Sequence, residues 1–413
     1  MEGGKITFAL ATWDEAIPHE FSNRDKWIGI TRQRDNPAMT MTRRQWLQAT
    51  AGALAAGTVT WLGHAQHTPS STSTSGEDTR EQSDVTITAE AQEAIDRGLE
   101  FLARHQNADG SFVDHRSGSA VGITSLAALA LMAGGHQPGR GKFGNEVLRA
   151  AEYVTSMADG PYPGFLTTPE SQGSGRLATQ PSPIYSHGFG TLFLAEVCGM
   201  MPTPQKDQTV RAALEKAVAF TIAAQNKEGG WRYEPRAAFA DVSVTVAQMM
   251  ALRAAKNAGM FIRKTIIDAG VQYIKACQVA DGGFSYWKGQ GHSAFARSAA
   301  AIVGLYSAGL YQGSEIDRGL KYLMQFLPGR PLSLRDIPPQ HYWYGHYYAA
   351  LAMWTARERY WSTWFPAIRG ELLHKARTGG GLWLDPYHGA VYATAMALII
   401  LQLPNNYLPI LQR

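Results

Sequence analysis

The chain has 413 residues, of which 45% are hydrophobic and 17% charged, with 11 Trp, 17 Tyr and 15 Phe. Charge that far below the roughly 25% of an average soluble protein, joined to so many aromatics, excludes a disordered chain and leaves material for a large core. Lys and Arg number 38 against 34 Asp and Glu, a net charge of +4, and no basic run beyond the first fifty or so residues could track phosphates, so nucleic acid is not an expected partner. Cys198 and Cys277 are too few for a disulfide framework or a thiolate zinc cluster and read as buried thiols.

In chain order, residues 1–66 form an N-terminal extension. Arg43 and Arg44 precede Trp46 and Leu47, and residues 49–62 carry no charge and are rich in Ala, Gly and Thr. Paired arginines ahead of such a stretch are the pattern of a twin-arginine export signal, and the stretch is too short to span a bilayer comfortably. The expected location is therefore periplasmic or envelope-associated. No clean Ala-x-Ala cleavage site follows, so a retained signal would hold the protein at the membrane. Residues 1–38 are awkward as the start of a signal, which makes Met39 or Met41 an alternative first residue. Residues 67–89 are a Ser/Thr-rich linker with no apolar period.

The body, residues 90–413, is repetitive. Ile95-Asp96-Arg97-Gly98-Leu99-Glu100-Phe101-Leu102 is matched by segments starting at Leu148, Leu214, Ile267, Ile316 and, more weakly, Ile368, a period of about fifty residues. Within each copy the apolar positions fall on one stripe of a helix, and a small residue permits close packing. Each copy is followed by a Gly-rich turn and a second segment that is apolar nearly all round, expected to be helical: 122–133, 189–199, 242–258, 294–308, 344–356 and 391–403. The amphipathic helices should cover the apolar ones. Six such hairpins in two layers predict an all-α fold, a closed α/α toroid; a straight solenoid would expose two apolar ends.

The turns carry a signature of their own, Gln-x-x-x-Gly-x-aromatic, at Gln106–Phe112, Gln225–Trp231 and Gln278–Phe284, with a degenerate copy ending at Trp383. Glycine supplies the left-handed backbone that ends a helix, the ring packs back, and the glutamine meets open terminal groups. This pattern resembles the repeats of the terpenoid cyclase and protein prenyltransferase superfamily, squalene-hopene cyclases and prenyltransferase β subunits among them.

The resemblance implies a cavity at the N-terminal ends of the inner helices, where an isoprenoid chain lies against aromatic walls. Candidate ligand-binding residues near those ends are Tyr233, Tyr286, Trp287, Tyr342, Trp343, Tyr344, Tyr347 and Tyr387, with the histidines His187, His292 and His346; Trp231, Phe284 and Trp383 sit at the motif's aromatic position and read as turn packing. The cyclases' acid motif, Asp-x-Asp-Asp-Thr, is met by Asp241-Val242-Ser243-Val244-Thr245. The middle carboxylate, the proton donor, is replaced by Ser243, which argues against cyclisation started by protonation. The prenyltransferases' zinc site needs an Asp-x-Cys step that also falls on Asp241 and Ser243, so the cysteine is missing and neither metal nor cofactor is expected. Asp241, His388 and Arg297 are the candidate catalytic residues, although Asp241 also suits a helix N-cap. The sequence thus leads to an exported toroid holding an apolar or isoprenoid-like small molecule. A terpenoid-active or lyase-like enzyme using Asp241 and the rim histidines, or a non-catalytic interaction scaffold, stand as alternatives.

Overall fold

The structure is a computed structural model and describes residues 85–112, 120–168, 183–329 and 337–412; the expected export signal and most of the linker lie outside them. Among the described residues there are twelve α-helices and no β-strand. They alternate between two layers. The outer helices are α1 (Ala89–Arg104), α3 (Gly144–Ser156), α5 (Pro204–Ala224), α7 (Lys264–Ala276), α9 (Ser314–Leu323) and α11 (Glu358–Thr378). The inner ones are α2 (Ala120–Ala133), α4 (Pro183–Val197), α6 (Val242–Asn257), α8 (Phe295–Ser307), α10 (Tyr342–Ala356) and α12 (Ala390–Leu401). Five inner helices begin within two or three residues of the sequence expectation; α4 begins six residues earlier, at Pro183 rather than Phe189.

The layers follow from composition. In α12 every residue from Val391 to Leu401 except Tyr392 is buried, as an apolar helix must be when it has neighbours on all sides. In α1 burial is confined to the stripe Ala91, Ala94, Ile95, Gly98, Leu99, Phe101 and Leu102, and the Thr88 side chain caps its start by accepting from Ala91 N–H. The small residue on each stripe is where the layers approach: a Cβ on Gly98 would meet Leu398 and Trp383 at 2.9 Å, and one on Gly270 would meet the Met249 sulfur at 2.5 Å.

Each inner helix packs on the next, α2 on α4, α4 on α6, α6 on α8, α8 on α10, α10 on α12, and α12 returns to α2. The ring is closed. Across the seam Gln402 Nε2 donates to Ala130 O at 3.1 Å and Asn405 Nδ2 to Ala133 O at 3.1 Å, while Arg377 pairs with Glu90. Because each outer helix carries the chain back, the six inner helices run parallel and their N-termini lie at one end of the barrel.

The turn motif does more than end a helix. Gln106 Nε2 donates to Gly110 O at 3.0 Å within its turn and to Glu146 O at 2.8 Å at the start of α3. Gln225 does the same to Gly229 O and Ile266 O of α7, and Gln278 to Gly282 O and Glu315 O of α9. Each glutamine therefore fastens its hairpin to the outer helix of the next. A second repeated bond escaped the sequence reading: the aromatic residue's N–H donates to a hydroxyl on the following inner helix, Phe112 to Thr124 at 2.8 Å, Trp231 to Thr245 at 3.0 Å and Phe284 to Ser298 at 2.8 Å.

Candidate functional site

A cavity of about 310 Å³ opens at the N-terminal end of the inner ring, with residues of all six inner helices or the turns before them in its wall. Its depth follows from helix geometry. Leu126, Phe189 and Met396 line it one and a half turns into α2, α4 and α12, roughly 9 Å below the helix starts. Tyr233, Tyr286, Gln340, His341 and His388 precede the helices and form the mouth. Opposite sides of the ring meet through their aromatics: Tyr185 of α4 lies edge-on to Tyr344 of α10 with centroids 6.3 Å apart, and Phe189 approaches Tyr347 at 6.4 Å. These rings narrow the lumen and leave a small cavity in its upper part.

The candidate residues separate into three groups. Tyr233, Tyr286, Tyr344, Arg297 and His388 line the cavity. Trp287 and Tyr387 are 41% and 48% exposed on the rim, Trp287 against Tyr286 with centroids 5.1 Å apart, and His292 is exposed on the turn before α8. The third group lies in the wall or faces the outer layer. Tyr342 donates to Glu371 of α11 at 2.8 Å, and His346 packs among Phe295, Tyr342 and Trp364. Trp343 and Tyr347 are buried. His187, one turn into the longer α4, accepts from Leu166 N–H at 3.2 Å through Nδ1 and donates to Thr221 of α5 at 2.8 Å. Burial holds its pKa at about 3, so it is a neutral tie between layers. The dense run Tyr342–Tyr348 thus sends only Tyr344 into the cavity, since a helix turns about 100° per residue.

Asp241 is the N-cap of α6, its Oδ1 accepting from Val244 N–H at 2.8 Å. It is fully buried behind the cavity wall. Burial pushes its carboxyl up to about 6 against the bonds from Val244, Tyr286 and Ser243, which work the other way. Tyr286 donates to Asp241 Oδ2 at 3.2 Å and its hydroxyl also meets that of Tyr233, so a chain of hydrogen bonds runs from the buried acid to the cavity surface. Ser243 itself lines the cavity. The position that the cyclase motif gives to its proton donor is therefore at the wall, and it carries a hydroxyl. Among the described residues no cluster of three or more His, Cys, Asp or Glu could hold a metal ion.

Arg297 spends Nε on Phe284 O at 3.1 Å and Nη2 on His292 O at 2.6 Å, which fixes the guanidinium at the mouth. His388 is oriented by Asp385, whose Oδ1 accepts from His388 N–H at 2.6 Å and lies 3.3 Å from Nδ1. His341 completes this side; desolvation, then the charges of His388 and Arg297, hold it below the ordinary imidazole value. Sequence reasoning did not assign Tyr185, Tyr392, Gln340 or Asp385 to the site. The first two sit inside apolar helices, where one tyrosine among aliphatics carries no signal of its own.

The family model of the squalene-hopene cyclase C-terminal domain matches residues 191–328. Among solved structures, the type II terpene cyclase MstE from Scytonema, without ligand, superposes with a TM-score of 0.50 at 14% identity, covering 78% of this chain and 100% of that one. A variant of MstE in complex with its substrate, geranylgeranyl dihydroxybenzoate, gives 0.50 and 14%, covering 80% and 99%. The chain has the terpenoid cyclase-like α/α-toroid fold. A glycosidase in complex with glucose matches this toroid with a TM-score of 0.49 at 13% identity, over 80% of this chain and 100% of the other. No curated protein matches the sequence.

Proposed function

We propose that this toroid binds a small isoprenoid-like molecule in its upper cavity, outside the cytoplasm, and that it does not start cyclisation by protonating an alkene. The carrying observation is the cavity lining: aliphatic and aromatic side chains of Ile123, Leu126, Phe189 and Met396 below, tyrosines above, and Ser243 where a strong acid would be needed. A cavity of about 310 Å³ that opens at a mouth is at the small end of the roughly 300–1,000 Å³ of ligand sites and suits a ten- to fifteen-carbon chain better than a thirty-carbon one. Phe239, Trp287, Leu384 and Tyr387 are exposed on the turns around the mouth, a rim suited to an apolar guest. MstE binds an isoprenoid in the same fold. The export reading rests on Arg43-Arg44 and the uncharged stretch after them.

A second reading, an acid–base enzyme, draws on the Asp241–Tyr286–Tyr233 chain, which links a carboxyl of pKa about 6 to the cavity surface. One experiment separates the two. Solvent extracts of the purified protein are examined by mass spectrometry, and the protein is then incubated with farnesol and with squalene. A recurring isoprenoid-sized lipid, with both compounds recovered unchanged, is expected. Conversion of either compound would favour the enzyme, and an extract holding a saccharide and no lipid would overturn the isoprenoid reading.

A further inference from the structure

The hydroxyl groups inside the cavity narrow the ligand class further, given the reading that the cavity holds an isoprenoid-like molecule. Tyr344 lines the cavity, yet its hydroxyl is buried with no hydrogen-bond partner among the described residues, and so is that of Tyr348, whose side chain is fully buried. The hydroxyls of Tyr185, Ser243 and Tyr348 interact with that of Tyr344, but none meets it in a well-formed hydrogen bond. Tyr185 and Ser243 line the same cavity. Side chains from α4, α6 and α10 thus bring hydroxyl groups towards one point.

A buried hydroxyl whose neighbours lie outside good hydrogen-bond geometry has given up its bonds to water for less than it lost. Phenylalanine at 344 and 348 would fill the same space without that loss, so the packing of the barrel does not call for these oxygens. Burial pushes the pKa of Tyr185, Tyr344 and Tyr348 far above the ordinary phenol value, which keeps all three protonated and able to donate. The carboxyl of Asp241 is close enough to raise Tyr185 and Tyr344 further, and a negative charge there repels a second one. The oxygen that fits among these hydroxyls is therefore uncharged.

We propose that the ligand is a neutral oxygenated isoprenoid, an alcohol, ketone or ether, whose oxygen is received by the hydroxyls of Tyr344, Tyr185 and Ser243, with Tyr348 packed against Tyr344, rather than by Arg297, His341 and His388 at the mouth. An alcohol suits the cluster best because it both donates and accepts.

The full chain and its Tyr344→Phe/Tyr348→Phe variant are titrated calorimetrically with geraniol, a ten-carbon alcohol, and with myrcene, a ten-carbon hydrocarbon. The wild-type protein should bind geraniol about tenfold more tightly than myrcene, the span of one well-made neutral hydrogen bond. The variant should lose that preference while binding myrcene at least as well, which also shows that it is folded; if the double variant does not fold, Tyr344→Phe alone is read the same way. A preference that survives in the variant places the oxygen at the mouth and overturns the proposal, as do equal affinities in the wild-type protein. If neither compound binds, the isoprenoid reading fails and this proposal with it.

Discussion

Asp241 shows how one side chain can serve the fold and oppose it at once. As a cap it meets an open N–H of α6 and stabilises the helix start by about 1 kcal/mol; as a buried carboxylate it is costly. Its carboxyl rises from an ordinary 3.8 to about 6 in the folded protein. The folded state thus holds the proton more tightly than the unfolded one, so the contribution is fully present below pH 3.8 and is lost as the pH climbs through 6. The whole span is worth roughly 3 kcal/mol. Asp241→Asn keeps the cap oxygen and removes the charge. Thermal melts should show the variant gaining on the wild-type protein between pH 4 and pH 6.5, with a constant lead at higher pH; a difference that does not change with pH would mean that Asp241 ionises like an exposed carboxylate. The sequence made Asp241 legible as a cap from local spacing, and Ser243 as a missing acid through the resemblance to the cyclases' motif. It did not show that Tyr342 and His346 face α11 while Tyr344 faces the lumen, because neighbouring positions on a helix diverge and a run of aromatics hides the phase. His187 was displaced for a similar reason. The start of α4 carries Pro183 and Tyr185-Ser186 instead of a plain apolar run, so the helix begins about one and a half turns before its pattern becomes apolar.

At the scale of an element, the Gln-x-x-x-Gly turn is a fastener between neighbouring hairpins, and its parts differ in weight. Gly229 has φ +88°, and a Cβ there would lie 2.6 Å from the backbone oxygen of Ala269 in α7. Neither can yield without moving a helix, so Gly229→Ala adds backbone strain to a clash and should cost on the order of 3 kcal/mol. Gln225→Ala removes the bonds to Gly229 O and Ile266 O but leaves both carbonyls within reach of water, and about 1–2 kcal/mol is expected. Urea unfolding of both variants should give that order; Gly229→Ala unfolding with the wild-type protein would show that the turn does not press on α7. The existence of this element was plain in the sequence because the motif recurs three times. Its reach to the next repeat was not, since Gln225 and Ile266 are some forty residues apart and no pattern within one copy points outward.

At the scale of the molecule, closure decides how the repeats share their stability. In an open array each repeat leans on two neighbours except at the ends, where protection falls off. Here α12 packs on α2 and α1, Gln402 and Asn405 donate to carbonyls of α2, and Arg369 reaches Thr86 O at 2.6 Å. The first and last hairpins are therefore as interior as any other. The alternation of layers already sets the inner helices parallel; closure collects their N-termini around one mouth and lets Tyr185 and Tyr344 meet across the lumen, which an open superhelix does not permit. Native-state hydrogen exchange tests it directly. Amides in the middle of α2 and α12 should be protected to within about tenfold of those in α6, as expected when one cooperative unit opens as a whole. Replacing both Gln402 and Asn405 by alanine should lower protection in α2 and α12 before α6. Protection that already declines from α6 towards both ends in the wild-type protein would mean that the seam does not hold, and the shared mouth and cavity would go with it.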